Sequence, residues 1–139
     1  MKNSTDLRVI KTKNALTQAM VQCLKEKTFD EITVQDICNK AMTRRSTFYT
    51  HFADKYELFA FTVREIYCQF PSFKQLEKVE TIKEVYDFLL KDVVNFLVDN
   101  IKIVKLMQEN KTNMMLLDII AKEVMKAFLP ILEKEESLS

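Results

Sequence analysis

The chain has 139 residues, of which 47% are apolar and 29% charged, a composition typical of about one soluble globular domain. It contains no glycine and two prolines, which favours helices joined by polar turns and argues against tight hairpins and a glycine-rich phosphate loop. The net charge is +1, and the two halves of the chain differ. Residues 1–60 contain ten Lys/Arg and seven Asp/Glu, whereas residues 61–139 contain eleven Lys/Arg and thirteen Asp/Glu. The positive excess in the first part is too small to indicate nucleic-acid binding by itself.

The first predicted helix covers residues 6–27, where apolar residues recur every three or four positions. The break at "TFDEI" precedes Thr33, a favourable N-cap whose partner Asp36 stands three residues later, as in a capping box. A short helix is therefore expected over residues 34–40. The inward-facing residues expected here are Leu7, Ile10, Leu16, Met20, Cys23, Leu24, Val34, Ile37, Cys38 and Ala41.

A second short helix is predicted over residues 44–50, after a polar turn, which gives the outline of a helix-turn-helix. This helix is too short and too polar to be stable alone, so Phe48 and Phe52 are expected to anchor it to the core. Its opposite side then presents guanidinium and hydroxyl groups, which bind base edges and phosphates in a major groove. These exposed residues are Arg44, Arg45, Ser46, Thr47 and Thr50, with Tyr49 placed to donate to a phosphate.

Four more helices are predicted beyond this motif. Asp54, with Glu57 as its capping-box partner, begins a helix over residues 55–70 that Pro71 stops. The N–H groups at the helix starts near Thr33 and Lys55 are expected to favour a phosphate. After a linker over residues 71–81, helices are predicted over residues 81–100, 101–110 and 113–129, the last one kinked or ended by Pro130. The sequence thus predicts an all-α fold of about seven helices.

The stretch "DEITVQDICNKAMTRRSTFYTHFADKYEL" (residues 30–58) resembles the DNA-binding domain of TetR-type (TetR/AcrR) transcriptional regulators, and the likeness covers about residues 7–66. The resemblance implies a three-helix DNA-binding domain over residues 1–60 and a helical ligand-binding and dimerisation domain over residues 61–139. It also implies base contacts from residues 44–50. The phosphate contacts it implies come from Thr33, Tyr49, His51 and Lys55.

Three positions in the turn depart from the family pattern. Met42 stands where the family has glycine; a left-handed conformation there costs about 1 kcal/mol, and the alternative is a tighter or differently bent turn. Thr43 replaces an apolar turn residue. Because Arg44 replaces the usual Ser or Asn cap, the second helix is expected to begin one residue earlier, at Thr43.

The resemblance places an effector pocket and a dimer interface in the C-terminal block. For each candidate pocket residue the alternative is an ordinary helical core in which methionines fill gaps. The block is shorter than is common in the family, so either the chain is C-terminally shortened or its dimer interface is reduced and formed by residues 113–129. The candidate pocket residues are Phe70, Tyr86, Phe96, Met107, Met114 and Phe128.

The three cysteines, Cys23, Cys38 and Cys68, form no CxxC or Cys/His cluster and are expected to be buried thiols in a reducing cytoplasm. No cofactor, metal site, membrane span or catalytic activity is expected. The sequence predicts a cytoplasmic, ligand-responsive repressor that binds double-stranded DNA as a homodimer on a near-palindromic operator. The alternatives are a helical protein-interaction module with a vestigial helix-turn-helix, which Met42 and Thr43 keep open, and a small helical enzyme.

Overall fold

The computed structural model describes residues 4–71, 81–108 and 113–138, and these ranges contain seven α-helices, one 3-10 turn and no strand. The predicted all-α class is confirmed. The 3-10 turn Phe29–Glu31 lies between the first two helices. The helices are α1 (Ser4–Glu26), α2 (Val34–Ala41), α3 (Arg45–His51), α4 (Lys55–Tyr67), α5 (Ile82–Asp99), α6 (Ile101–Gln108) and α7 (Asn113–Leu138).

Side-chain caps begin α2 and α4. The capping box predicted for α2 is confirmed: the Asp36 N–H donates to Thr33 Oγ1 at 3.1 Å, and the Thr33 N–H donates to Asp36 Oδ2 at 3.0 Å. At α4, the Glu57 N–H donates to Asp54 Oδ1 at 2.9 Å. The Glu57 carboxylate accepts from the Ala53 N–H at 3.0 Å, one residue before the N-cap, so the expected box is offset there.

Two helix ends differ from the predictions. Helix α4 ends at Tyr67 rather than at Phe70, because the Gln69 N–H already bonds to the nearer Ile66 carbonyl in a tighter turn. Helix α7 continues through Pro130 to Leu138 instead of ending near Leu129. Proline removes one N–H donor, and the rest of the helix retains its hydrogen bonds on both sides. The predicted linker lies almost entirely outside the described residues.

The core lies where α1, α2, α3 and α4 meet, and Leu116 of α7 closes it. The first turns of α1 extend beyond this core: Leu7 and Ile10 are exposed, although their spacing predicted burial. Cys68 is also exposed, because it lies just past the end of α4. The buried cluster consists of Leu16, Ala19, Met20, Cys23, Leu24, Phe29, Ile32, Ile37, Cys38, Phe48, Phe52, Leu58, Phe59 and Leu116.

The C-terminal helices pack on the N-terminal ones through α4, which contacts α7, and through α1, which contacts α6. Since α4 crosses residue 60, the predicted division into two domains falls inside a helix and remains a prediction. Within the described ranges, none of the helices has the length and apolarity that crossing a bilayer requires. Many large apolar side chains of α5 and α7 are exposed, among them Tyr86, Leu90, Val94, Val98, Met114, Leu117 and Met125.

Candidate nucleic-acid interface

The turn between α2 and α3 keeps a left-handed residue without glycine. Met42 has φ 55° and ψ 44°. Its N–H bonds to the Asn39 carbonyl at 3.3 Å, and the Thr43 N–H bonds to the Cys38 carbonyl at 2.9 Å. This is the Schellman arrangement that normally ends with glycine, and a side chain in this conformation costs about 1 kcal/mol. Of the two alternatives for this turn, the left-handed one is therefore adopted.

Helix α3 begins at Arg45, with Arg44 as an extended N-cap residue that makes no side-chain cap bond. The predicted start at Thr43 is wrong. The Thr43 hydroxyl donates backwards to the Ala41 carbonyl at 3.3 Å, so it belongs to the end of α2. The helix extends to His51, one residue further than predicted.

Two phenylalanines hold α3 against the core, as predicted. Phe48 is 0% exposed and Phe52 is 4% exposed. Their ring centroids lie 5.9 Å apart, and Phe52 also contacts Phe61 of α4 at 5.4 Å. The Lys13 ammonium of α1 lies 5.3 Å from the centre of the Phe61 ring, a cation–π contact that the sequence pattern does not reveal. Because α3 has seven residues, this burial rather than helix propensity determines its position.

The side of α3 away from Phe48 carries the polar residues. The Arg45 guanidinium lies 6.0 Å from the centre of the Tyr49 ring, one helical turn away, and this contact restricts the arginine. The Thr50 hydroxyl donates to the Ser46 carbonyl at 2.9 Å, which leaves its lone pairs outward. Arg44, Arg45, Ser46, Tyr49 and Thr50 are exposed, and Thr47 and His51 are half-buried.

The N-terminus of α2 is partly occupied by its own capping box. The box uses the N–H groups of Thr33 and Asp36, so an anion would meet the N–H groups of Val34 and Gln35. The bond from the Thr33 N–H, and then those from Lys27 and the Thr33 hydroxyl, hold the pKa of the Asp36 carboxyl below its usual range.

Two ion pairs that the sequence analysis does not predict join α2 to the last residue of α1 and to Lys27, which directly follows α1. Lys27 Nζ lies 3.2 Å from Asp36 Oδ2, and Lys40 Nζ lies 2.9 Å from Glu26 Oε1. Both pairs join residues nine or more positions apart, and no local pattern signals such contacts. The Asp36 pair holds the first turn of α2 near the end of α1, and the Lys40 pair holds the last turn of α2 there.

The Lys55 side chain lies in an unexpected place. Its ammonium donates to the backbone carbonyls of Phe29 at 2.8 Å and Ile32 at 2.9 Å, and more weakly to that of Asp30 at 3.4 Å. Burial lowers the pKa of this ammonium. An ammonium has three N–H donors, and all three have acceptors here, so the geometry argues against the predicted phosphate contact by this side chain.

The six candidate pocket residues do not form one group. Phe70 and Phe96 are half-buried, and their ring centroids lie 5.9 Å apart. Tyr86 and Met114 are 66% and 79% exposed. The side chains of Met107 and Phe128 lie outside the described residues. The effector pocket therefore remains a prediction. No group of three or more His, Cys, Asp or Glu side chains that could hold a metal ion occurs among the residues that the structure describes.

Comparison with known proteins identifies this region. Residues 16–62 match the model of the family described as bacterial regulatory proteins, tetR family. A relative from Bacillus subtilis (strain 168), named Uncharacterized HTH-type transcriptional regulator YxbF, is 46% identical over 54 residues. The aligned segment covers 38% of this chain and 14% of that relative. Residues 16–62 are therefore a DNA-binding domain of the tetR family.

Proposed function

We propose that the chain is a sequence-specific repressor that binds a near-palindromic operator as a homodimer and leaves it when a small molecule binds. The observation that supports this most strongly is the placement of α3. Phe48 and Phe52 are buried, and the arginines and hydroxyls on the opposite side are free to enter a major groove.

Base reading is assigned to the exposed side of α3. Arg44 and Arg45 can each bind a guanine edge with two hydrogen bonds, and the hydroxyls of Ser46, Thr47 and Thr50 suit bases or phosphates. Phosphate contacts are assigned to Thr33, Tyr49 and His51, which flank that side. The α4 N-terminus contributes through the backbone N–H of Lys55 rather than through its ammonium.

Dimer formation is supported by the apolar surface of the C-terminal helices. Exposed aliphatic side chains such as Leu90 and Val98, each 65% exposed, are unusual on a free surface when they lie on one helix. A homodimer that covers them would present two α3 helices to successive major grooves about 34–36 Å apart. Such a dimer represses by excluding other proteins from its operator.

Release by a ligand requires different affinities for two dimer states. A small molecule between the C-terminal helices, near Phe70 and Phe96, would favour a state with another separation of the two α3 helices. The affinity for DNA then falls by the difference in ligand binding between the two states. Binding to chromosomal DNA would place the protein in the cytoplasm.

The test is selection of duplex DNA from a random library, followed by fluorescence anisotropy at several salt concentrations. The expected result is an enriched, near-palindromic site whose affinity falls steeply as salt rises. The Arg44→Ala and Arg45→Ala variants should bind the enriched site more weakly and should each lose the preference at the base pair that the arginine reads. Lys105→Ala, which removes an exposed cation from α6, should keep both the affinity and the preference.

The protein-interaction alternative predicts no retention on any duplex DNA at low salt. The Met42 departure gives this alternative little support, because Met42 adopts the left-handed conformation that a glycine usually supplies at such a helix end. The family match points to a regulator rather than to an enzyme. Absence of both enrichment and salt-dependent retention would contradict the proposed function.

A further inference from the structure

Lys55 connects the start of α4 to the segment that precedes α2. Its ammonium donates to the carbonyls of Phe29 and Ile32, which lie 26 and 23 positions earlier in the chain. It also lies 4.5 Å from the centre of the Phe29 ring and 5.7 Å from that of Tyr56, which adds cation–π attraction. The ammonium of Lys55 thus holds the loop through hydrogen bonds and through its contact with the Phe29 ring.

Packing against α4 also holds this loop. Phe29 is 2% exposed, and its ring meets Tyr56 and Phe59 edge to face at 5.2 and 5.3 Å. Ile32 is 1% exposed and directly precedes Thr33, the N-cap of α2. The Ile32 carbonyl that Lys55 binds is therefore the last backbone group before the residue assigned to phosphate.

We infer that Lys55 is a positioning residue, which fixes Thr33 and the start of α2 for DNA through its bonds to the loop carbonyls and does not itself contact phosphate. This inference rests on the proposed DNA-binding function. Since the ammonium's three N–H groups already have acceptors, contact with a phosphate would require it to leave two short bonds.

The wild-type protein allows a direct test by NMR of its lysine ammonium groups. Protons held by carbonyls exchange slowly with water, so we expect a Lys55 ammonium signal in the free protein, and the same signal position after selected duplex DNA is added. If the Lys55 signal is lost to fast exchange in the free protein, the ammonium is not held by the loop carbonyls and the inference is wrong. A signal that shifts on DNA and couples to phosphorus would overturn the absence of phosphate contact.

Substitution separates the two roles by salt dependence. Lys55→Met removes the N–H donors and keeps an unbranched side chain of nearly the same length. We expect its affinity to fall by about tenfold on every sequence, the size of one hydrogen bond to a charged group, with an unchanged slope of log affinity against log salt. A slope smaller by about 0.9 indicates a lost phosphate contact and contradicts the inference. Lys105→Met, at an exposed site on α6, is the control.

A double-mutant cycle tests whether Lys55 acts through Thr33. If it does, Lys55→Met and Thr33→Ala together should weaken DNA binding by clearly less than the product of the two separate fold-losses. Additive losses would contradict the inference. All affinities are measured at a temperature where circular dichroism shows each variant folded. If the wild-type protein binds no DNA, the proposed function is wrong. The NMR signal of the free protein still shows whether the Lys55 ammonium is bonded to the loop carbonyls.

Discussion

Arg45 and Tyr49 form a pair of neighbours on the exposed side of α3. The ring holds the guanidinium near one orientation, so less freedom is lost when the arginine binds a base. The two residues nevertheless have different proposed partners, a guanine edge for Arg45 and a phosphate for Tyr49. Substitutions should therefore separate sequence preference from general affinity.

We expect Arg45→Ala to weaken binding to the selected site by about 1–3 kcal/mol and to relax the preference at one base pair. Tyr49→Phe is the matched variant, since it keeps the ring beneath Arg45 and removes only the hydroxyl. It should weaken all sequences by a similar factor. Competition binding with single-base operator variants measures both effects. Unchanged preference in Arg45→Ala would remove Arg45 from the base-reading residues.

Met42 allows a prediction about stability that is independent of DNA. Its left-handed backbone has φ 55°, and its side chain is 94% exposed, so little packing is lost on truncation. Met42→Gly should stabilise the fold by about 0.5–1 kcal/mol, because the steric cost at positive φ exceeds the entropy that glycine adds to the unfolded chain. Urea unfolding of both proteins measures this difference in the free energy of unfolding.

Ala41→Gly is the control for Met42→Gly, since it adds the same residue at the last position of α2, where the backbone is helical. This substitution should lower the free energy of unfolding by about 0.5–1 kcal/mol. If both glycines destabilise the fold, the backbone strain assigned to Met42 is wrong.

At the scale of elements, the start of α2 links stability to pH through Asp36. The folded state lowers the pKa of this carboxyl, first through the bond from the Thr33 N–H. A lowered pKa means that the stabilisation is present above the unfolded-state pKa and is lost as pH falls through the folded-state value. Ion pairing with Lys27 contributes in the same direction and is screened by salt.

We expect Asp36→Asn to be less stable than wild type at neutral pH, with a difference that shrinks as the pH falls through the acidic range below the usual pKa of Asp, 3.8. Thermal unfolding at a series of pH values measures the difference. Glu31→Gln, which neutralises an exposed carboxyl in the preceding 3-10 turn, should show a smaller dependence. A difference that is constant with pH would contradict the role of the charge.

Local chemistry made the first four helices predictable from sequence. The Thr33 and Asp54 caps act within three residues, and the Phe48 and Phe52 anchors follow from helical spacing, so these features were found. The starting residue of α3 cannot be predicted in this way, because the N-cap residue Arg44 makes no side-chain cap bond and arginine is not a typical N-cap residue.

Contacts between distant residues could not be predicted in this way. Lys55 stands where the family pattern implies a phosphate contact, and the carbonyls to which its ammonium donates in this structure lie more than 20 residues away in the chain. The predicted end of α7 near Leu129 is wrong because a proline disfavours a helix without always ending it, and here the helix continues to Leu138. The exposure of Leu7, Ile10 and Cys68 depends on which helices cover them, and periodicity does not show this.

At the scale of the whole molecule, the exposed apolar side chains of α5 and α7 are the feature with the largest consequence. A monomer that leaves them in water forgoes about 25 cal/mol for each Å² of apolar surface that a partner would cover. Association through these helices would also fix the distance between the two α3 helices. Dimerisation and operator affinity should therefore change together when this surface is altered.

We expect Leu90→Lys to weaken the proposed homodimer, because burying an unpaired ammonium at an apolar interface is unfavourable. Asn95→Lys on the same helix adds the same charge at an exposed polar position and should have a much smaller effect. Sedimentation equilibrium measures the dimer, and anisotropy compares the full site with a single half-site. Because a half-site needs only one α3 helix, Leu90→Lys should reduce full-site affinity and leave half-site affinity unchanged. If Leu90→Lys and Leu117→Lys both leave the dimer intact, the interface lies elsewhere on the molecule.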